Sequence, residues 1–171
     1  PSRGIMITVA EAIDQILQTI KPLGMERIGI FDALGRVTGE DIVAGRNIPP
    51  KDNSAMDGYA LRFRDTSGAS MEHPVTLEVI EDIPAGAIPQ KSIAAGQASR
   101  IMTGAPVPAG ADAVIRVEDT EKDGNGVKIK VEAKSGQDIR YAGEDVREGE
   151  VVIPKRSIIR PSEIGMLASL G

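Results

Sequence analysis

Three short polar segments hold the side chains best suited to chemistry. The first carries Asp52, Asn53, Ser54, Asp57 and Gly58, and the second carries Thr103 and Gly104. The third holds Arg140, Gly143, Glu144 and Asp145. Each combines a glycine, which lets backbone N–H groups approach a ligand, with a hydroxyl or a carboxylate. Carboxylates without histidine suit a hard cation such as magnesium, whose ligands are oxygens. Taken singly, each segment also fits a plain turn: Asp57-Gly58, Thr103-Gly104 and Gly143-Glu144-Asp145 are all ordinary turn sequences. These residues alone define a polar, oxygen-lined site and name no reaction.

Composition removes several alternatives. The 171 residues include no cysteine, which excludes disulfides, thiolate zinc sites and a cysteine nucleophile. The single histidine, His73, precedes Pro74 in a polar stretch and reads as a surface residue, so no multi-histidine metal site can be built. Net charge is −5, and the aromatic residues are only Phe31, Tyr59, Phe63 and Tyr141. Neither a basic footprint nor a stacking platform for nucleic acid is present. No apolar run approaches the roughly 20 residues that span a bilayer, and residues 1–8 lack the apolar stretch of a signal peptide. The expectation is a cytoplasmic protein with no membrane or nucleic-acid partner.

The elements that must position the three segments are short. Residues 8–20 read as a helix: Thr8 and Glu11 form a capping box, and Ile5 or Met6 is placed as a hydrophobic staple. Val9, Ala12, Ile13, Ile16, Leu17 and Ile20 make one apolar face expected to be buried, and Lys21, Pro22 and Gly24 stop the helix. Residues 28–31 read as a short strand, followed by a helical turn capped by Asp32 and ended by Gly35. Residues 37–43 read as extended, and residues 47–59, with Pro49 and Pro50 at their entrance, as an aperiodic loop. Alternation in residues 75–79 and 127–131, with an apolar run at 113–117, predicts strands. Asn125-Gly126 predicts a hairpin between two of them. Residues 151–153 read as a strand and 161–170 as a helix opened by Pro161. The fold class is mixed α+β and β-rich, with 19 glycines and 11 prolines marking many turns.

The run Pro49-Pro50-Lys51-Asp52-Asn53-Ser54-Ala55-Met56-Asp57-Gly58-Tyr59-Ala60 closely resembles a signature of the MoeA family of molybdopterin molybdenumtransferases, to which the gephyrin E domain also belongs. The run from Arg100 through Thr103-Gly104-Ala105-Pro106 to Val114 resembles the family's next signature. So do Ile139-Arg140 with Gly143-Glu144-Asp145, and Ala168-Ser169-Leu170-Gly171. The resemblance covers nearly the whole chain and corresponds to the family's N-terminal region. It implies an elongated, interrupted dimerisation region (residues 1–65 and 139–171) and an inserted, small β-barrel-like domain (66–138). The catalytic α/β domain and the C-terminal β-domain of a complete member are expected outside this chain.

The implied reaction inserts molybdate into the dithiolene of adenylylated molybdopterin, with release of AMP and assistance from Mg2+. The resemblance matches Asp57, Thr103 and Asp145 to catalytic positions, with Ser54, Gly58 and Gly104 as binding positions. Asp57 and Asp145 are the metal candidates, and Thr103 is expected to donate its hydroxyl to an oxyanion. A homodimer with a cleft shared between subunits is implied, as is a molybdopterin-adenylylating protein as partner. This chain alone is expected to be inactive. The alternative is a non-catalytic dimerisation or scaffolding module of the same family.

Overall fold

The computed structural model describes residues 7–21 and 23–171. Chain order begins with helix α1 (Val9–Thr19) and strands β1 (Ile42–Val43), β2 (Asn53–Ser54), β3 (Gly58–Leu61), β4 (Val75–Ile83) and β5 (Gln97–Ile101). It continues with β6 (Ala113–Arg116), β7 (Thr120–Asp123), β8 (Gly126–Ile129), β9 (Ile139–Arg140), β10 (Val151–Ile153) and helix α2 (Pro161–Leu170). The protein is thus mostly β, with two helices among the described residues.

Helix α1 starts where its cap predicts. The Thr8 hydroxyl accepts from the Glu11 amide at 3.2 Å, and the Thr8 amide donates to the Glu11 carboxylate at 2.7 Å. The bond from the Thr8 amide, and second the Thr8 hydroxyl donating to the same carboxylate oxygen at 2.9 Å, hold the Glu11 carboxyl below its usual range. The apolar face does not behave as expected: Val9, Ile13, Ile16, Leu17 and Ile20 are all exposed, and no residue of α1 is buried. The helix is locally encoded, and among the described residues its apolar face is left uncovered. The staple at Ile5 or Met6 and the stop at Pro22 lie outside the described residues.

The strand expected at residues 28–31 is absent. Ile30–Asp32 instead form a 3-10 turn, with the Asp32 amide donating to the Gly29 carbonyl at 3.0 Å. Asp32 closes this turn rather than capping one. Pairing with a neighbouring segment begins only at Gly35, whose amide donates to the Ile159 carbonyl at 2.8 Å. Val37 then bridges Ile158, and β1 pairs with β10. The chain ends are thereby laced together, with the Thr38 hydroxyl donating to the Pro154 carbonyl at 2.8 Å. Helix α2 begins at Pro161 as predicted, and the Arg46 guanidinium donates to the Ser169 carbonyl at 2.6 Å in its last turn.

Six strands form one sheet in the order β6-β3-β5-β4-β8-β7, antiparallel except for the parallel pair β4–β5. The sheet curls as a half-barrel and stays open, since its edges β6 and β7 do not pair with each other. The expected small β-barrel-like domain is thus borne out only in part, as a curled open sheet. Strand β3 precedes the expected boundary at residue 66, yet it lies inside the sheet between β5 and β6.

Both faces of the sheet are covered. Tyr59, Leu61, Leu77, Ile115, Val127 and Ile129 pack on one face, and Ala60, Ile83, Ile101 and Val114 on the other. A bulge between Val79 and Glu81 explains how Leu77 and Ile83 reach opposite faces despite an even spacing. The hairpin between β7 and β8 is present, but its loop is Gly124-Asn125, one residue earlier than predicted. Gly124 takes φ +59°, while Gly126 belongs to the ladder, where a Cβ would lie 2.8 Å from the Leu77 carbonyl oxygen.

Candidate functional site

Strand pairing brings the first two polar segments together. In the β3–β5 ladder Gly58 lies opposite Ile101, so Asp57 and Thr103 emerge side by side at the same end. One carboxylate oxygen of Asp57, Oδ1, accepts from both the Thr103 amide and the Thr103 hydroxyl, each at 2.7 Å. These bonds, and more weakly the positive charge of Arg100, hold the Asp57 carboxyl below its usual range. Asp57 and Thr103 are both exposed. The hydroxyl expected to serve an oxyanion is turned onto Asp57 instead. The face the pair presents is therefore acceptor-rich: Asp57 Oδ2 and the Thr103 Oγ1 lone pairs.

Residues 52–55 form the middle rail between the other two segments. On one side, the Ser54 amide donates to the Ala105 carbonyl and the Gly104 amide to the Ser54 carbonyl, both at 2.9 Å. On the other, β2 pairs with β9, Asn53 opposite Arg140 and Ser54 opposite Ile139, and the Ala55 amide donates to the Asp138 carbonyl at 2.8 Å. Asp138 takes φ +52°, a left-handed conformation that aspartate tolerates better than most residues.

Asp145 sits across this rail from Asp57. Its Oδ1 accepts from Arg140 at 2.6 Å, and the same guanidinium lies 3.6 Å from Glu144. The Asp145 bond first, then the two carboxylate charges, raise the Arg140 pKa. Asp145 is exposed and makes no hydrogen bond to Asp57 or Thr103 among the described residues. The structure thus joins two of the three predicted side chains directly, and ties the third to them only through the rail.

The binding candidates divide by environment. Ser54 is 1% exposed, and its hydroxyl donates to the Met56 carbonyl at 2.6 Å within its own turn. Gly58 is buried where β3 and β6 meet: a Cβ there would run into the Ile115 carbonyl and lie 2.9 Å from the Arg116 Cα. Gly104 is exposed at φ +81° with open space around its missing side chain. Only Gly104 has the free backbone surface that a ligand can approach.

No group of three or more His, Cys, Asp or Glu side chains gathers to hold a metal among the described residues. Asp57 and Asp145, the magnesium candidates, each have one oxygen engaged by a protein donor and do not converge. Among the described residues this donor set does not make up a magnesium site. A shallow groove of about 220 Å³ lies beside the rail, lined by Lys51, Lys91, Pro106 and Val107 among others, and excludes all three predicted catalytic residues. The proximity of Arg100 to Asp57 was not anticipated. Its place opposite Tyr59 in the ladder is the signal, and it is legible only once the register is known.

A family model described as the MoeA N-terminal region, domains I and II, matches residues 7–171. Molybdopterin molybdenumtransferase 2 of Mycobacterium tuberculosis is 43% identical over 159 residues, which are 93% of this chain and 38% of that protein. The molybdopterin molybdenumtransferase of Bacillus subtilis is 39% identical over 169 residues, 96% of this chain and 39% of that one. Among solved structures, the molybdopterin biosynthesis MoeA protein of Pyrococcus horikoshii OT3 superposes with a TM-score of 0.89 at 40% identity. It covers 95% of this chain, which spans 43% of that one. The chain spans about two fifths of the length of the curated relatives that it matches. No helix among the described residues is long and apolar enough to cross a membrane.

Proposed function

The chain belongs to the MoeA N-terminal family, and from that premise we propose that it is the N-terminal region of a molybdopterin molybdenumtransferase. The reaction read here inserts molybdate into the dithiolene of adenylylated molybdopterin and releases AMP. The observation that carries the reading is the exposed Asp57–Thr103 pair, joined by two 2.7 Å bonds at the end of β3 and β5. Asp57 is ionised at neutral pH, because its bonds to Thr103 favour the carboxylate. It fixes the Thr103 rotamer and leaves Oδ2 to accept from a substrate hydroxyl or a water. Arg100 and Arg140 offer positive charge to an anionic substrate, with Arg140 exchanging Asp145 for a phosphate oxygen when one arrives. No step is assigned to magnesium on these residues.

The exposed apolar face of α1, continued by Leu23, Met25 and Phe31, supports a homodimer whose partner subunit completes the cleft. A molybdopterin-adenylylating protein is the natural supplier of the substrate, and a cytoplasmic location follows from that supply. Alone, this chain lacks a complete site and should be inactive. The deciding experiment gives full-length protein adenylylated molybdopterin and molybdate and measures AMP release and loading of an apo-molybdoenzyme. Turnover is expected, and its absence removes the transferase reading. The same apolar face favours the second reading, a scaffolding module, under which Asp57→Ala would leave molybdoenzyme maturation intact.

A further inference from the structure

We propose that Asp52 is a positioning residue that holds the second and third polar segments in one register. It rests on the transferase reading above but names a residue to which that reading gives no part. Asp52 is fastened on both sides. Its backbone carbonyl accepts from the Val107 amide at 2.9 Å, in the segment that carries Thr103. Its carboxylate Oδ1 accepts from the Ala142 amide at 2.8 Å, three residues before Asp145. The next residue, Asn53, continues the same pattern, bridging Pro106 on one side and pairing with Arg140 on the other.

From outside residues 140–145, the remaining bonds to the Asp145 turn are backbone ones, while within it the Tyr141 amide donates to the Glu144 carboxylate at 3.1 Å. The Gly143 amide donates to the Pro49 carbonyl and the Asp145 amide to the Ile48 carbonyl, both at 2.9 Å. Those two bonds fix the far end of the turn. The Asp52 carboxylate is the side-chain acceptor from the rail that fixes its near end, where the chain leaves Arg140. Without it, residues 141 and 142 gain freedom, and Asp145 loses its fixed relation to the rail, while the backbone of Arg140 stays paired with Asn53. Asp52 touches neither Asp57 nor Asp145, so its effect passes through the placement of the third segment.

An acceptor oxygen is what the clamp needs, and its charge is secondary. Asparagine retains a carbonyl oxygen at the same reach, whereas alanine removes it. In the full-length enzyme, D52A should lower kcat about 10-fold, the upper range for loss of one hydrogen bond. Its KM should change little, and amide exchange at residues 142–145 should quicken. D52N should restore most of kcat and the slow exchange. Equal damage in D52N and D52A would overturn the clamp and make Asp52 a charge-dependent contact to substrate. Unchanged exchange and kcat in D52A would overturn it as well. If D52A fails to fold, the D52N comparison still decides. If the wild-type enzyme shows no molybdate insertion, the transferase reading fails, while exchange at residues 142–145 still tests the clamp.

Discussion

The six-stranded sheet and the laced terminal segments treat their apolar residues in opposite ways. Leu61, Ile101, Ile115 and Ile129 in the sheet are completely buried, at 0% exposure. In the terminal segments Leu23 is 95% and Phe31 97% exposed, and neither α1 nor α2 contains a buried residue. The sheet satisfies its own hydrophobic demand. The terminal segments bury a few apolar residues, Ala33, Ala44, Val146, Ile153 and Ile159, and present most of their larger apolar side chains outward. Exposed apolar surface of this kind is what the proposed partner subunit would cover. The polar site lies where the two regions meet, on a rail pinned to the sheet on one side and to the terminal segments on the other.

The largest effect should come from testing that contrast directly. Leu61→Ala removes a fully buried side chain from the central strand β3 and should cost about 2–5 kcal/mol of stability. Leu17→Ala, on the exposed face of α1, should change intrinsic stability by no more than about 0.5 kcal/mol. Leu17→Glu in the full-length protein should instead weaken self-association, read by sedimentation. Equal denaturation midpoints for Leu61→Ala and Leu17→Ala would erase the distinction between the regions.

Asp57→Ala probes the seam. In the full-length enzyme it should lower turnover about 100- to 1,000-fold, or about 2.7–4 kcal/mol, the scale seen when one preorganised polar group leaves a reacting centre. Folding should be preserved, since Asp57 is exposed. Thr103→Val should reproduce much of the loss, because it removes the hydroxyl that binds Asp57 at 2.7 Å. Turnover near wild type in both variants would leave only the scaffolding reading.

How much of this was legible in the sequence depended on range. Local signals were read correctly: the Thr8–Glu11 capping box, Pro161 at the start of α2 and the β7–β8 hairpin all depend on neighbours within a few residues. Strand β3 was missed because Gly58, Tyr59, Ala60 and Leu61 are all buried, so no alternation marks them, and Asp57-Gly58 reads as a turn. The strand misread at residues 28–31 had apolar residues but no sheet edge beside it. The three polar segments were found, yet the Asp57–Thr103 contact spans 46 residues and is set by the β3–β5 register. Local reading cannot supply that register. The cover missing from α1 was equally invisible, because periodicity shows that a face is apolar and says nothing of what lies against it.

Two glycines that look alike in sequence should separate next. Gly58→Ala drives a Cβ into the backbone of β6 and should cost about 1–3 kcal/mol through overpacking. Gly104→Ala meets open space and carries only the left-handed backbone penalty, about 1–2 kcal/mol. The first should appear mainly as lost stability and the second as weaker substrate binding, measured by thermal unfolding and by KM. A larger stability loss at Gly104 than at Gly58 would reverse the roles assigned to them.

The smallest effect concerns how the terminal segments hold together with so few buried apolar residues. Helix α2 opens on Glu163, which accepts from the Arg160 amide at 2.9 Å and from the Arg160 guanidinium at 3.0 and 3.1 Å. The guanidinium first, and the amide second, lower the Glu163 pKa from 4.5 to about 2. A depressed carboxyl stabilises the folded form fully above its unfolded pKa and loses that contribution as pH falls through the folded one. Helix α2 should therefore keep this support at pH 5 and lose it between pH 4.5 and about 2. The exposed pair is screened by salt, so the loss should shrink as ionic strength rises. Carboxyl NMR titration of Glu163 checks the shift, and Glu163→Gln should remove this part of the acid response. Titration at the ordinary carboxylate value would show that Arg160 does not hold Glu163 in solution. The start of α2 would then rest on Pro161 and on packing alone, and the terminal segments would be held less by local polar bonds than the contrast with the sheet requires.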